Sequence, residues 1–475
     1  MNSPSSNNTR SSRWLVSSAS ALLAVVLLAG CKGISTRSER QARGHLKAVT
    51  QVYRPGDRKA TLPTLDTNAA LGDFLRYAML NQPQIEARYY DWLGSVERIT
   101  IERSLPDPRF TFESDITKIV ETVMPGLMMD FPGPGKLKAR GAVASAESEV
   151  KYYLFETGVL QTAFAFKKAY YQLHFLTEKI HVNQQTLELL ADIEKIALKQ
   201  NEVGKVTLQD VLRAQIEQDR MRTEIANLED SRHPLLAQLK AALGLKAGES
   251  DPPLPARFET TPLDLTPDRL LATAFARNPR LKAMEAEVRL AEASIRLATK
   301  AKVPDFSAGI EADVRSYPVM VRPSLGVTLP IWRDKIAAEI AAAQAGQRAA
   351  ESRLSAEQIA LAVELAEKSF MFREASRNLA LVQEALLPKA RQSLEVARAS
   401  YLAGKTEFFN LIDAWRTLLD FQLTQVEAQT QRELALAALS LVMAGLPPAQ
   451  APILPESSRN VPQPENKNAK KSHAK

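Results

Sequence analysis

The chain predicts a mainly α-helical fold that carries a small β-component and is built twice over. Three observations lead there. Helical periodicity runs unbroken over long stretches: no proline occurs between Gly135 and Pro234, so nothing in that span removes a backbone donor from a helix. The stretch NEVGKVTLQDVLRAQ, Asn201 to Gln215, returns as YLAGKTEFFNLIDAW, Tyr401 to Trp415. Each holds a Gly-Lys pair between two helical patterns, where a reversing chain needs a residue that accepts positive φ. Upstream of each hairpin the apolar spacing switches from three-four to alternation, the mark of strands.

Taken in order, residues 1–30 read as a secretory signal peptide: a polar start with Arg10 and Arg13, then an apolar run from Trp14 to Leu28. Leu28-Ala29-Gly30-Cys31 resembles the bacterial lipobox, whose cysteine is acylated and becomes the mature N-terminus. Cys31 is the sole cysteine, and a mature chain whose only thiol heads it fits export. Lys32 follows it; the lipobox resemblance associates aspartate there with inner-membrane retention, so lysine points outward. Residues 31–70 are expected to form an acylated arm, extended or partly disordered to about Pro63, because they are basic, polar and poor in pattern.

The first repeat spans 71–247. A short helix runs from Leu71 to Leu80 and stops at Asn81-Gln82-Pro83; another runs from Gln84 to Arg103. Phe110 and Phe112 alternate with polar residues, and a second strand runs from Gly126 to Phe131. A very long helix begins near Lys136, turns at Gly204 and returns to about Leu243, with a kink expected at Pro234. Residues 248–267, rich in Pro, Thr and Asp, read as a linker. The second repeat spans 268–446. Arg277-Asn278-Pro279 answers Asn81-Gln82-Pro83, and Pro304-Asp305-Phe306 answers Pro108-Arg109-Phe110, at one common offset. Its strands are expected at Phe306–Val314 and Ser324–Leu329. Pro330 is expected to open its long helix, which carries Pro388, turns at Gly404 and ends before Pro447-Pro448. Residues 447–475 read as a disordered tail. The run from Lys136 to Val203 is roughly 100 Å long at 1.5 Å per residue, and the two shorter helices of the half, placed end to end, match it. A helical column is expected, with strands at one end and glycine tips at the other.

Composition narrows the function. Apolar residues are 45% and charged residues 24%, which suits a water-exposed fold and excludes a polytopic helical membrane protein. No apolar run long enough to span a bilayer follows the N-terminus. The net charge of +7 is diffuse and comes with no nucleic-acid-binding signature, so nucleic acid is not a partner. Five histidines are too scattered for a metal site, and no catalytic constellation or cofactor motif is present. Gly404-Lys405-Thr406 mimics the end of a phosphate-binding loop, but Ala399 replaces the required upstream glycine and the preceding segment is helical. An enzyme is therefore not expected.

The strands are about as long as outer-membrane strands, yet four cannot close a barrel and lipid does not tolerate open sheet edges. Several copies must join. Two give roughly eight strands, whose interior fills; three give roughly twelve, wide enough for water. The duplicated order of strand hairpin and helix hairpin, the Gln-Pro and Asn-Pro helix starts and the Tyr-x-x-Gly tip resemble the TolC family of outer-membrane efflux proteins over about Leu71 to Leu446. The resemblance implies a homotrimer whose 12-stranded transmembrane β-barrel sits in outer-membrane lipid on a helical periplasmic tunnel. It implies a periplasmic adaptor and an inner-membrane pump of the resistance-nodulation-division type as partners, and passive export of drugs or metal ions. Type I protein secretion is the alternative conduit. A periplasmic adaptor lipoprotein is a further one, disfavoured by the two hairpins and the 19 glycines. Phe131-Pro132-Gly133-Pro134-Gly135-Lys136-Leu137 resembles members paired with metal-ion exporters.

Within that resemblance Gly204, Lys205, Gly404 and Lys405 are expected to dock the adaptor, and Asp210, Tyr401 and Asp413 to form a gate. Thr406 departs from the family pattern, which has an arginine there, so any Asp210 link to the second hairpin is a neutral hydrogen bond from Tyr401. By alternation Leu127, Met129 and Phe131 face lipid, and among Met124, Met128 and Met129 only Met128 faces the lumen, as ordinary barrel packing.

Overall fold

The computed structural model describes residues 35–115, 122–254 and 267–443. The signal peptide, Cys31, the tail from 447 and most of the linker lie outside the described residues. In chain order the elements are α1 (Arg37–Tyr53), α2 (Leu71–Asn81), α3 (Pro83–Arg103), β1 (Arg109–Glu113), β2 (Met124–Phe131), α4 (Lys136–Glu202), α5 (Leu208–Asp230) and α6 (Arg232–Leu243). Then follow α7 (Pro267–Arg277), α8 (Pro279–Thr299), β3 (Asp305–Asp313), β4 (Met320–Thr328), α9 (Arg333–Leu381), α10 (Leu387–Leu402) and α11 (Phe408–Val442).

Several expectations change in detail. The arm is not extended: residues 37–53 form α1, because Val49 and Tyr53 bury one side while the buried Glu39 pairs with Arg43 at 3.1 Å and Arg103 at 2.8 Å. The kink expected at Pro234 is a break one turn earlier, at Ser231: the proline ring crowds the carbonyl of Asp230, so the proline sits in the first turn of α6, where a missing N–H costs nothing. Pro330 lies outside α9, which starts at Arg333. Pro388 is absorbed by a turn of π-helix, Val382–Leu386, which re-spaces the ladder ahead of it.

The chain divides into two compact units: one of the segment ending at Arg43 with Ser95–Ser145 and Glu292–Gln344, the other of Gly44–Gly94, Ala146–Ala291 and the chain from Ala345. The first holds a four-stranded antiparallel sheet in the order β1-β2-β3-β4. Directly paired residues share a face, so the register sorts every side chain. Phe110 opposite Leu127, Leu127 opposite Ile310, Met129 opposite Ala308, Phe131 opposite Phe306, Phe306 opposite Val327 and Ala308 opposite Leu325 make one face wholly apolar. Its large side chains are mostly exposed, from 37% at Phe131 to 87% at Leu325, while Met129 and Ala308 are half-buried. The other face carries Arg109, Thr111, Glu113, Asp130, Ser307, Glu311, Asp313, Arg322 and Ser324. Met124 joins Met128 on this polar face, so Met128 is not alone there; Arg322 and Arg109 approach their sulfurs at 3.5 and 3.8 Å. The joint between β2 and α4 is pinned to the start of β3. Asp305 accepts the Gly133 N–H at 2.7 Å and lies 2.8 Å from the Lys136 ammonium, and Gly133 sits so close to Pro304 that a Cβ would lie 2.2 Å from its carbonyl oxygen.

In the second unit, Tyr53, Tyr89, Trp92 and Phe155 form an aromatic cluster with ring centroids 5.1–6.3 Å apart. The repeated Asn/Gln-Pro steps do more than stop helices. Asn81 Nδ2 donates to the carbonyls of Leu243 and Gly244 at 3.0 and 3.1 Å, and Gln82 Nε2 to that of Ala241 at 2.9 Å. Asn278 Nδ2 donates to the Val442 carbonyl at 2.7 Å. Each step thus clasps the C-terminus of the return helix of its own half, where the last carbonyls lack helical partners.

Candidate functional site

Both hairpin tips use one backbone device. Gly204 and Gly404 have φ of +70° and +69°, the left-handed conformation that closes a helix cheaply only with glycine. Their N–H groups donate to Asn201 and Tyr401, and those of Lys205 and Lys405 to Gln200 and Ser400, at 2.9–3.0 Å. These paired bonds end α4 and α10 alike. Around them Val203, Leu208, Leu402 and Phe409 stand 46–65% exposed, an apolar rim beside two exposed lysines.

Behind the tips the two hairpins share one core. Leu190, Ile193 and Ala197 of α4, Val211 and Ala214 of α5, Leu394 and Tyr401 of α10, and Leu411, Trp415 and Leu418 of α11 pack in a single cluster. Tyr401 is 3% exposed, lies edge-on to Phe408 at 5.5 Å, and its hydroxyl has no hydrogen-bond partner. Burial, then the nearby Asp210 carboxylate, push its pKa up to about 12. The structure thus brings Asp210 and Tyr401 near each other without a bond between them. Asp413 is exposed. Thr406 accepts from Asn410 of its own hairpin at 2.8 Å.

Sequence reasoning missed the polar contacts higher up. Glu217 of α5 meets Arg416 of α11 at 2.5 Å, and Glu194 of α4 accepts from Gln215 and Gln218 of α5 at 2.8 and 2.5 Å. A signal was available: with the glycine tips aligned, Glu217 and Arg416 fall at nearly the same height on their return helices. Among the described residues no group of acids, histidines or cysteines is arranged to hold a metal ion, and no helix is long and apolar enough to cross a membrane, which leaves the exposed apolar face of the sheet as the surface to explain.

Residues 112–245 and 270–445 match the family described as outer membrane efflux protein. The cobalt-zinc-cadmium resistance protein CzcC of Cupriavidus metallidurans is 23% identical over 257 residues, 53% of this chain; the match spans 60% of that relative's length. The fold is similar to that of CusC, with a TM-score of 0.70 at 15% identity over 82% of this chain and 95% of that one. It is similar also to the open state of the MtrE outer membrane channel of Neisseria gonorrhoeae, with a TM-score of 0.67 at 15% identity over 82% and 96%.

Proposed function

Because the chain belongs to the outer membrane efflux protein family, we propose that it is the outer-membrane duct of a tripartite efflux pump, a passive conduit rather than an enzyme. The sheet carries this reading. Its apolar face is exposed along all four strands, far beyond what a soluble surface tolerates, while its opposite face is polar. Strands β1 and β4 are open edges. In lipid an open edge leaves backbone groups with no partner, so β4 of one copy pairs with β1 of the next, and three copies close a barrel of about twelve strands with water inside. Carboxylates on the polar face (Glu113, Asp130, Asp305, Glu311, Asp313) outnumber guanidiniums (Arg109, Arg322). Together with the metal-resistance relative this favours metal cations as cargo.

Residues 71–247 and 268–446 serve as tandem repeats. Gly204, Lys205, Gly404 and Lys405, with their apolar rim, dock a periplasmic adaptor that links the duct to an inner-membrane pump of the resistance-nodulation-division type. Asp210, Tyr401 and Asp413 narrow the duct at rest, and acylated Cys31 adds a lipid anchor. Purified in detergent, the protein should run as about three copies and conduct ions in planar bilayers. A stable monomer without conductance overturns the reading.

A further inference from the structure

We propose that a cleft in the helical unit binds a small organic anion, a carboxylate or phosphate carried on a polar body. The cleft lies beside the Gln82 clasp, between the start of α3, the middle of α4 and the end of α6, and has a volume of about 430 Å³, within the range of small-molecule sites. Among the described residues, Arg88 and Lys168 are its only charged side chains, and no carboxylate lines it. Gln84, Gln161, Thr162 and Gln238 add neutral hydrogen-bonding groups.

Arg88 is held in place by its neighbours. Its Nη1 donates to the Leu154 carbonyl at 2.9 Å and its Nη2 to Gln161 Oε1 at 3.4 Å. Both acceptors are neutral, so the positive charge stays uncompensated and further N–H donors remain for a ligand. Gly158 makes room for it: a Cβ there would lie 2.7 Å from Arg88 Cδ and 3.1 Å from Nη1. Gly158, Gln161, Ala165 and Lys168 follow at three-four spacing on one stripe of α4, which puts Lys168 about 10 Å along the axis from Gln161. A ligand can therefore set its anionic group on the guanidinium and spread a hydrogen-bonding body toward Lys168.

The duplication supplies a contrast. At the Asn278 clasp the corresponding cleft is only about 100 Å³. Its Arg280 follows Pro279 as Gln84 follows Pro83, and is paired with Glu357 at 2.7 Å and Glu364 at 2.8 Å. The second half neutralises its guanidinium internally, whereas the first keeps two cations without an acid. Gln82 Nε2 bonds the end of α6 at the wall of the first cleft, so an occupant that touches α3, α4 and α6 also stabilises the fold.

Titration calorimetry on the purified full-length protein, in detergent at low salt, tests the site. Glucose 6-phosphate and glucuronate present the two anionic groups on one body, and glucose is the neutral control. At least one of the anions should bind once per chain, raise the thermal midpoint and bind about ten-fold more tightly than glucose. Arg88→Gln and Lys168→Gln should each weaken that binding by about five-fold or more. Gly158→Ala should weaken it with both charges kept, and Arg280→Gln should leave it unchanged. Lys168 is exposed, so Lys168→Gln keeps the fold and decides the matter even if Arg88→Gln does not. Binding of one anion and not the other supports the site and names its anionic group. No binding of either anion, or glucose bound as tightly as the anions, overturns it. Anion binding that a folded Arg88→Gln or Lys168→Gln leaves unchanged, or that Arg280→Gln weakens equally, overturns it too.

Discussion

Asn278 offers the sharpest test of what holds a repeat closed. It is 2% exposed. Its Oδ1 accepts the N–H of Arg280 at 2.9 Å, which caps the start of α8, and its Nδ2 donates to the carbonyl of Val442, the last residue of α11. Asn278→Ala removes both bonds. A buried acceptor left unsatisfied costs about 1–3 kcal/mol, and loss of a helix N-cap typically costs about 1, so roughly 2–4 kcal/mol is at stake. Asn278→Asp keeps the cap but turns an acceptor toward the Val442 carbonyl, and should recover little. Asn81 makes the equivalent clasp in the first half, but in a partly exposed setting where water substitutes, so Asn81→Ala should cost only about 1 kcal/mol. Helical circular dichroism followed through thermal unfolding in one detergent, at one scan rate, reads the difference. At about 2–4 °C per kcal/mol, Asn278→Ala should lower the midpoint by roughly 4–16 °C. An Asn278→Ala midpoint at the wild-type value, or below it by less than that of Asn81→Ala, would refute the clasp.

Other expectations follow from the site and the helical unit. Asp413→Ala should lower cation selectivity and divalent block, and Tyr401→Phe should raise resting conductance modestly; single-channel recordings that show neither change return both residues to packing and solvation. Lys167 is buried beside Glu433, and burial lowers its pKa to about 8. A lysine whose folded pKa lies below its unfolded value of 10.5 leaves the unfolded chain holding more protons in that window, so stability should rise as pH climbs from about 8 toward 10. Lys167→Met should flatten the rise in a thermal-midpoint series. Above about 10 the trend should reverse, because Tyr401 stays protonated in the fold to about 12 while unfolded tyrosines ionise. Cys31→Ser should abolish acyl labelling yet leave the protein largely in the membrane, since the proposed barrel would be the stronger attachment; release of a folded protein to the periplasm would contradict the barrel.

The sequence was most legible where local chemistry and periodicity agree. Alternation at Leu127, Met129 and Phe131 and at Leu325 and Val327 names the apolar face before the register is known, and the Gly-Lys tips locate both reversals. The N-terminal end of β4 was missed because Arg322 and Pro323 interrupt its pattern. Helix α1 was missed because its charges hide a sparse stripe of Leu46, Val49 and Tyr53, and because its Glu39 finds Arg103 more than sixty positions away. The site divided along the same line. Tyr401 and Asp210 were reachable from the aligned tips, whereas Glu217 and Arg416 look like ordinary solvated charges until two return helices are set side by side.

The amide clasps also govern the order in which this chain can assemble. Asn81 reaches a carbonyl 162 positions away, and Asn278 one 164 positions away. Helices form within about a microsecond of being free to do so, but neither clasp can close until both arms of its hairpin have emerged and folded back. Closing a loop of that length costs on the order of 4–5 kcal/mol in chain entropy, so the clasp is a late event. A fragment that stops short of Leu243 has helices but nothing to seal them. Because the chain is duplicated, each closure is confined to its own half. The first half can seal before the second has formed, and the chain closes through two loops of nearly equal length instead of one twice as long.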